Sequence, residues 1–109
     1  SICSVFHSKL AEPLSSQESN YLMNHAYQLG GQFWIGISDI AEEDRWIYSS
    51  SQQPITIRDF NSNNPNGQKN SNCVVLWHDY HGRWSDEPCH STFYFICEAE
   101  NETIGEVVG

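Results

Sequence analysis

Four cysteines carry the most definite chemistry in this 109-residue chain. Cys3 stands alone near the start, while Cys73, Cys89 and Cys97 crowd the end, with sixteen positions separating Cys73 from Cys89. A bridge between those two would close a short loop, and a bridge from Cys3 to Cys97 would close nearly the whole chain. Four cysteines permit three connectivities, and their spacing does not choose among them. An even count in a short, acidic, tryptophan-rich chain points to an oxidising compartment, against the alternative of four buried free thiols. A bridge over about 100 residues contributes roughly 4–5 kcal/mol on the chain-entropy account, a large share of the roughly 5–15 kcal/mol that holds a domain folded.

The other reactive side chains point to binding rather than catalysis. Serines and histidines are plentiful, but there is no Gly-x-Ser-x-Gly elbow or other nucleophile motif, and the chain reads as not an enzyme. His78, Asp79, His81 and His90 are candidate transition-metal ligands. Zinc needs three or four ligands about one point, and a hairpin turn directs side chains outward, so these read as solvated turn residues. Trp34, Trp46 and Trp84 lie among strand residues and read as core, leaving Trp77 and Tyr80 as the expected solvent-facing aromatics. Glu42-Glu43-Asp44 reads as a solvated acidic turn. Asn101-Glu102-Thr103 is an N-glycosylation sequon.

These residues need elements to place them. Pro13 precedes Ser15-Ser16-Gln17-Glu18, a capping box that opens a helix. Leu22, Ala26 and Leu29 recur at helical spacing, with Tyr21 and Met23 beside the stripe, and Gly30-Gly31 stops the helix. Phe33 to Ile37 reads as a short buried strand, with Gly36 marking a close approach of another backbone. Trp46 to Tyr48 reads as a second strand and Pro54 to Ile57 as a short third. Periodicity disappears from Asp59 to Asn72, a stretch with six asparagines, Pro65 and Gly67. Long irregular loops in small domains usually carry function or are disordered. Cys73 to Trp77 is a strand, His78 to Gly82 turns the chain, Arg83-Trp84 returns it as a hairpin, and Phe93 to Cys97 closes the domain. The whole is α+β.

Length allows one domain with one modest core. The formal net charge of −9 repels phosphates and anionic membranes, which argues against nucleic-acid partners. No apolar run approaches the roughly 20 residues that span a bilayer, and no signal peptide is present, so secretion is inferred from the cysteines.

In order along the chain, these motifs resemble the C-type lectin-like domain. Leu10-Ala11-Glu12-Pro13 is similar to the family's lead into its second helix. Trp34-Ile35-Gly36-Ile37 is similar to its Trp-Ile-Gly-Leu strand, and Asn64-Pro65-Asn66 to its Glu-Pro-Asn or Gln-Pro-Asp triplet. Cys73-Val74 opens its next strand, Trp84-Ser85-Asp86 resembles its Trp-Asn-Asp, and Phe95-Ile96-Cys97-Glu98 its closing strand. The match spans most of the chain, with the domain at residues 1–100 and a polar tail at 101–109. The resemblance implies a fold with a long irregular loop and two disulfides, Cys3–Cys97 and Cys73–Cys89. The family has a first strand and most of a first helix ahead of the position of Cys3, where this chain has two residues. The expectation is a missing N-terminal segment and an unpaired edge along Phe93 to Glu98.

The family's sugar-binding members hold one Ca²⁺ at the long loop, with two sugar hydroxyls completing its shell. Ca²⁺ takes six to eight oxygen ligands. Carboxylates accept a hydroxyl's proton and amide NH₂ groups donate to its oxygen. Carried over, the carbohydrate-binding positions are Asn64, Asn66, Ser71, Ser85 and Asp86, and the metal positions are Asn64, Asn66, Ser85 and Asp86. Only Asp86 keeps a carboxylate, so the resemblance implies a weak Ca²⁺ site or none, with Asp59 and Glu87 as further sources of charge. An accessory ion position in some members matches Asp39 and Glu43, but its loop-side partners here, Gly67, Ser71 and Asn72, are not acidic. The expected function is an extracellular carbohydrate-recognition module, secreted or the ectodomain of a larger protein, with a mannose-type triplet variant. The alternative is a Ca²⁺-independent protein-binding module on the same surface. Either way the partner is a glycan or a protein, with no nucleic acid and no membrane insertion by this segment.

Overall fold

The computed structural model describes Cys3, residues 8–65 and residues 70–99. In chain order the elements are β1 (Ser8–Leu10), α1 (Ser16–Leu29), β2 (Phe33–Ser38), β3 (Ile47–Tyr48), β4 (Cys73–Leu76), a 3₁₀ turn (His78–Tyr80), β5 (Trp84–Glu87), β6 (Tyr94–Phe95) and β7 (Cys97–Ala99).

The capping box forms at the start of α1. Ser15 Oγ accepts the Glu18 N–H at 3.1 Å. Glu18 Oε1 accepts the N–H of Leu14 at 3.1 Å, one residue earlier than the standard partner. Gly30, left-handed at φ 79°, ends the helix with its N–H on the Ala26 carbonyl at 3.1 Å. The inward stripe is Ser19, Met23 and Ala26, with Leu22 partly buried. Leu29, expected on that stripe, is 58 % exposed; it is the last helical residue, where the chain turns off.

Phe33, Ile35 and Ile37 alternate into a core with Ala11, Met23, Ala26, Trp46, Tyr48, Val74, Leu76 and Trp84. The main sheet runs β3-β2-β4-β5, with β6 parallel to the start of β2. β4 and β5 form the expected hairpin, Val75 facing Ser85 and Val74 facing Asp86. Gly36 is needed where it sits: a Cβ there would lie 2.9 Å from Glu12 Cγ and 3.2 Å from the Leu10 carbonyl oxygen.

Three strand expectations change. Pro54 to Ile57 is not a strand; it contributes one bridge, Ile47 to Pro54, because Pro54 has no N–H to continue a ladder. The closing segment is two strands. Ile96 switches partners, its N–H reaching the Trp34 carbonyl at 3.4 Å and its carbonyl accepting the Ala11 N–H at 2.9 Å. The edge expected to be bare is therefore paired on one side, Tyr94–Phe95 with Phe33–Trp34 and Cys97–Ala99 with Leu10–Ser8. Both disulfides pair as the resemblance implies, Cys3 to Cys97 and Cys73 to Cys89.

The aromatic expectations divide. Trp34, Trp46 and Trp84 are buried. Trp77 and Tyr80 are half-buried, with Trp77 against Phe93 and Tyr80. Among the described residues, the Tyr and Phe rings most open to solvent are those of Tyr21, Tyr27, Tyr94 and Phe95.

Candidate cation and glycan site

The long loop leaves the core beside β5 and returns at the end of β2. The Trp84 N–H donates to the Asp59 carbonyl at 3.1 Å and the Asn61 N–H to the Trp84 carbonyl at 2.9 Å. Phe60 plugs this root, its ring 5.1 Å from that of Trp46 and 5.3 Å from that of Trp84. The Arg58 guanidinium lies 5.1 Å from the same ring centroid. Further along, the Asn64 N–H closes a turn on the Asn61 carbonyl at 2.8 Å, and the Asn64–Pro65 peptide is cis. At the return, the Asp39 N–H donates to the Asn72 carbonyl at 3.0 Å.

The residues expected to face a glycan or metal differ in exposure. Asn64 is half-buried. Ser71, Ser85 and Asp86 are buried, at 6, 2 and 1 % exposed. Asn66, Gly67 and the sequon residue Asn101 lie outside the described residues. Regular pairing of β5 puts Ser85 and Glu87 on one face and Asp86 on the other, and Ser85 Oγ donates to Glu87 Oε2 at 2.7 Å. Asp59 has one carboxylate oxygen buried without a hydrogen-bond partner.

A different group of oxygens converges at the end of β2. One carboxylate oxygen from each of Asp39, Glu43 and Asp44 lies within 4.8 Å of the others. Glu43 and Asp44 are exposed, in keeping with a solvated acidic turn, but Asp39 is only 1 % exposed. Its Oδ2 accepts the N–H of Asp44 at 2.8 Å, an arrangement that holds Asp44 left-handed at φ 67°. Its Oδ1 is buried and has no hydrogen-bond partner. Loss of hydration, then the charges of Asp39 and Asp44, a hydrogen bond with Asp39 and the charge of Asp86 push the Glu43 carboxyl above its ordinary value. Asp86 on β5 therefore belongs to the electrostatics of this turn.

A hard divalent cation fits these residues. Ca²⁺ binds carboxylate oxygens in flexible geometry, and Asp39 brings to this group a buried Oδ1 that no donor reaches. The acid pattern Glu42-Glu43-Asp44 gave no sign that Asp39 is buried; the available signal was its place directly after the apolar strand Phe33–Ser38. The transition-metal reading is not supported: among the described residues, His78, His81 and His90 do not gather with a third ligand.

A disulfide-braced α+β domain, with a long loop hung between the end of one strand and a Trp-Ser-Asp hairpin strand, defines the C-type lectin-like fold. The chain belongs to that family: the lectin C-type domain matches residues 1–99. It is 35 % identical over 92 residues to C-type lectin domain family 3 member A of Bos taurus, covering 82 % of this chain and 46 % of that protein. It is 34 % identical over 99 residues to the mannose-binding protein of Gallus gallus, covering 90 % of this chain and 37 % of that protein. The chain thus spans less than half the length of these relatives. The carbohydrate-recognition domain of the mouse scavenger receptor C-type lectin superposes with a TM-score of 0.78 at 25 % identity, covering 92 % of this chain and 77 % of that one. Among the described residues no helix is long and apolar enough to cross a membrane.

Proposed function

We propose that this chain is an extracellular carbohydrate-recognition module, a binder rather than a catalyst, whose Ca²⁺ is held at the Asp39–Glu43–Asp44 turn beside the long loop. The observations that carry this reading are the buried Asp39 Oδ1 that has no hydrogen-bond partner and the gathering of one oxygen from each of Asp39, Glu43 and Asp44 within 4.8 Å. The cation would neutralise charge at the point where the loop's return hangs on Asp39. The amides of Asn64 and Asn66 and the hydroxyl of Ser71 then offer donors and acceptors to sugar hydroxyls, and the Pro-Asn of the triplet favours mannose-type over galactose-type hydroxyl geometry. A second ion at Asn64, Asn66, Ser85 and Asp86 would be weak, with one carboxylate in the set. The domain occupies residues 1–100, and Asn101 in the polar tail accepts an N-linked glycan. Relatives that include a mannose-binding protein support the reading.

Calorimetric titration with Ca²⁺ tests it. Uptake at a single site with a dissociation constant of about 10⁻⁴–10⁻³ M, the range of extracellular modules, is expected, and Asp39→Asn abolishes it. Retention on immobilised mannan should be lost in EDTA. Absence of heat up to about 10 mM Ca²⁺, well above that range, removes the cation from the proposal.

A Ca²⁺-independent protein-binding module is the second reading. It is favoured by the burial of Ser85 and Asp86 and by the commitment of the Ser85 hydroxyl to Glu87. Protein capture unchanged by EDTA, together with no retention on glycans, would select it.

A further inference from the structure

The two disulfides differ in their access to solvent. Cys3 is fully buried, and its partner Cys97 is half-buried on β7 opposite Leu10. Cys89 is exposed, and its partner Cys73 is half-buried. The second bridge lies at the open end of the β4–β5 hairpin. Cys73 is the first residue of β4 and faces both Ser38, the last residue of β2, and Glu87, the last residue of β5. The carbonyl of Asn72, just before Cys73, accepts the Asp39 N–H at 3.0 Å. Cys89 sits in a turn closed by the Ser91 N–H on the Pro88 carbonyl at 3.0 Å. One bridge therefore joins the return of the long loop to the turn after β5.

The elements on either side have other attachments. The hairpin is paired from Cys73 and Glu87 down to Leu76 and Trp84, and Val74, Val75, Leu76 and Trp84 are buried in it. Beyond the turn, Phe93 is held between the rings of Trp34 and Trp77, with centroids 5.2 and 5.5 Å away. Cys3–Cys97 closes the chain independently. What Cys73–Cys89 adds is local: it fixes the turn from Pro88 to Thr92 against the point where the loop rejoins the sheet.

We propose that Cys73–Cys89 is a redox-sensitive latch on the long loop: a dithiol reductant opens it in the folded protein, Cys3–Cys97 stays closed, and the loop's return slackens without unfolding of the domain. Exposed disulfides are the labile and regulatory ones, whereas shielded ones resist reduction. In the first step a thiolate of the dithiol attacks Sγ of exposed Cys89. The S–S bond breaks, and Cys73 leaves as a thiolate that takes a proton from water. The second thiol of the reagent, deprotonated by water, then attacks the reagent's own sulfur in the mixed disulfide. Cys89 leaves in the same way and is protonated. Two electrons have passed to the bridge, and the dithiol has become a disulfide. Access directs the attack to Cys89 and makes Cys73 the first leaving group. The latch does not rest on the cation reading, since opening it changes the loop's anchorage whatever the loop binds.

Timed exposure of the folded protein to dithiothreitol, with iodoacetamide trapping and peptide mass mapping, tests the latch. Cys73 and Cys89 should be labelled at least about tenfold faster than Cys3 and Cys97, with the tryptophan fluorescence of the folded protein retained. In the opened protein the amides of Asp39 and Ser91, bonded to the Asn72 and Pro88 carbonyls, should exchange faster, while those of α1 keep their protection. The double variant Cys73→Ser with Cys89→Ser should show the same faster exchange with no reductant present. Labelling of all four cysteines together, or of Cys3 and Cys97 first, overturns the proposal. So does loss of the folded fluorescence on opening, or unchanged exchange at Asp39 and Ser91 in the opened protein.

Discussion

Glu12 and Asp39 are two carboxylates buried along the same strand, at 5 and 1 % exposed, yet their surroundings are opposite. Glu12 lies over Gly36 in the middle of β2 and is surrounded by donors. The N–H of Ser50 donates to its Oε2 at 2.8 Å, and its Oε1 accepts the Ser50 hydroxyl at 2.7 Å and the Lys9 ammonium at 3.3 Å. Its own N–H donates to Glu98 Oε1 at 2.6 Å. Asp39 ends the strand with one oxygen capped by Asp44 and the other unmet, among further acids. A buried carboxylate whose bonds are made joins segments of the chain. One whose bonds are left open among like charges is, on the proposed reading, where a cation would sit.

The largest expected effect breaks the seam around Glu12. Cys3–Cys97 closes 94 positions and Cys73–Cys89 closes 16. On the chain-entropy account these contribute about 4.7 and about 3 kcal/mol respectively. Replacing Cys3 and Cys97 by Ser should therefore lower the urea midpoint more than replacing Cys73 and Cys89. The first pair joins β7 to the start of the chain, whereas the second braces the ends of the β4–β5 hairpin near the loop. Equal losses, measured by tryptophan fluorescence, would mean that the unfolded chain does not follow the loop-length rule here.

A smaller effect isolates the donor-rich carboxylate. Glu12→Ala leaves the Ser50 N–H and hydroxyl without their acceptor and should cost roughly 2–3 kcal/mol, the scale for hydrogen bonds to a charged group. Ca²⁺ should not change this loss, since Glu12 is saturated by the protein. A loss that grows in EDTA would show that the two carboxylates are not independent.

The sequence was most legible where local chemistry decides the structure. The Ser15–Glu18 box, the Gly30 stop, the strand around Gly36 and the β4–β5 hairpin each follow from a few neighbouring residues. β1 was not legible, because Ser8-Lys9-Leu10 is too short and mixed to show a period, and it forms only against β7. The switch of partners at Ile96 was invisible for the same reason: one extended run serves two sheets, and only the tertiary arrangement divides it. At the site, the resemblance marked Asp39 and Glu43 as a candidate ion position, whereas the burial of Asp39 depends on a turn that folds Asp44 back onto it. His81 and His90 are exposed, as expected of turn residues, whereas His78 is half-buried, because Gly82 and Met23 bring the turn close enough to α1 for its ring to stack on Tyr27.

The smallest effect sharpens the comparison from the Asp39 side and depends on its sign. Glu43 titrates above its ordinary value of 4.5, through loss of hydration and the neighbouring carboxylates. A raised carboxyl means that the fold favours the protonated form. Its contribution is fully present below about pH 4.5 and is lost as pH rises through the raised value. Glu43→Gln should therefore melt with the wild-type protein at about pH 4 and above it at about pH 7 in EDTA, by a modest margin because the group is exposed and screened. Excess Ca²⁺ at the higher pH should reverse the order, since the cation stabilises three carboxylates more than two. If the variant and the wild type melt together at both pH values, the acids at the end of β2 are not acting on one another. The contrast with Glu12 then rests on the buried oxygen of Asp39 alone.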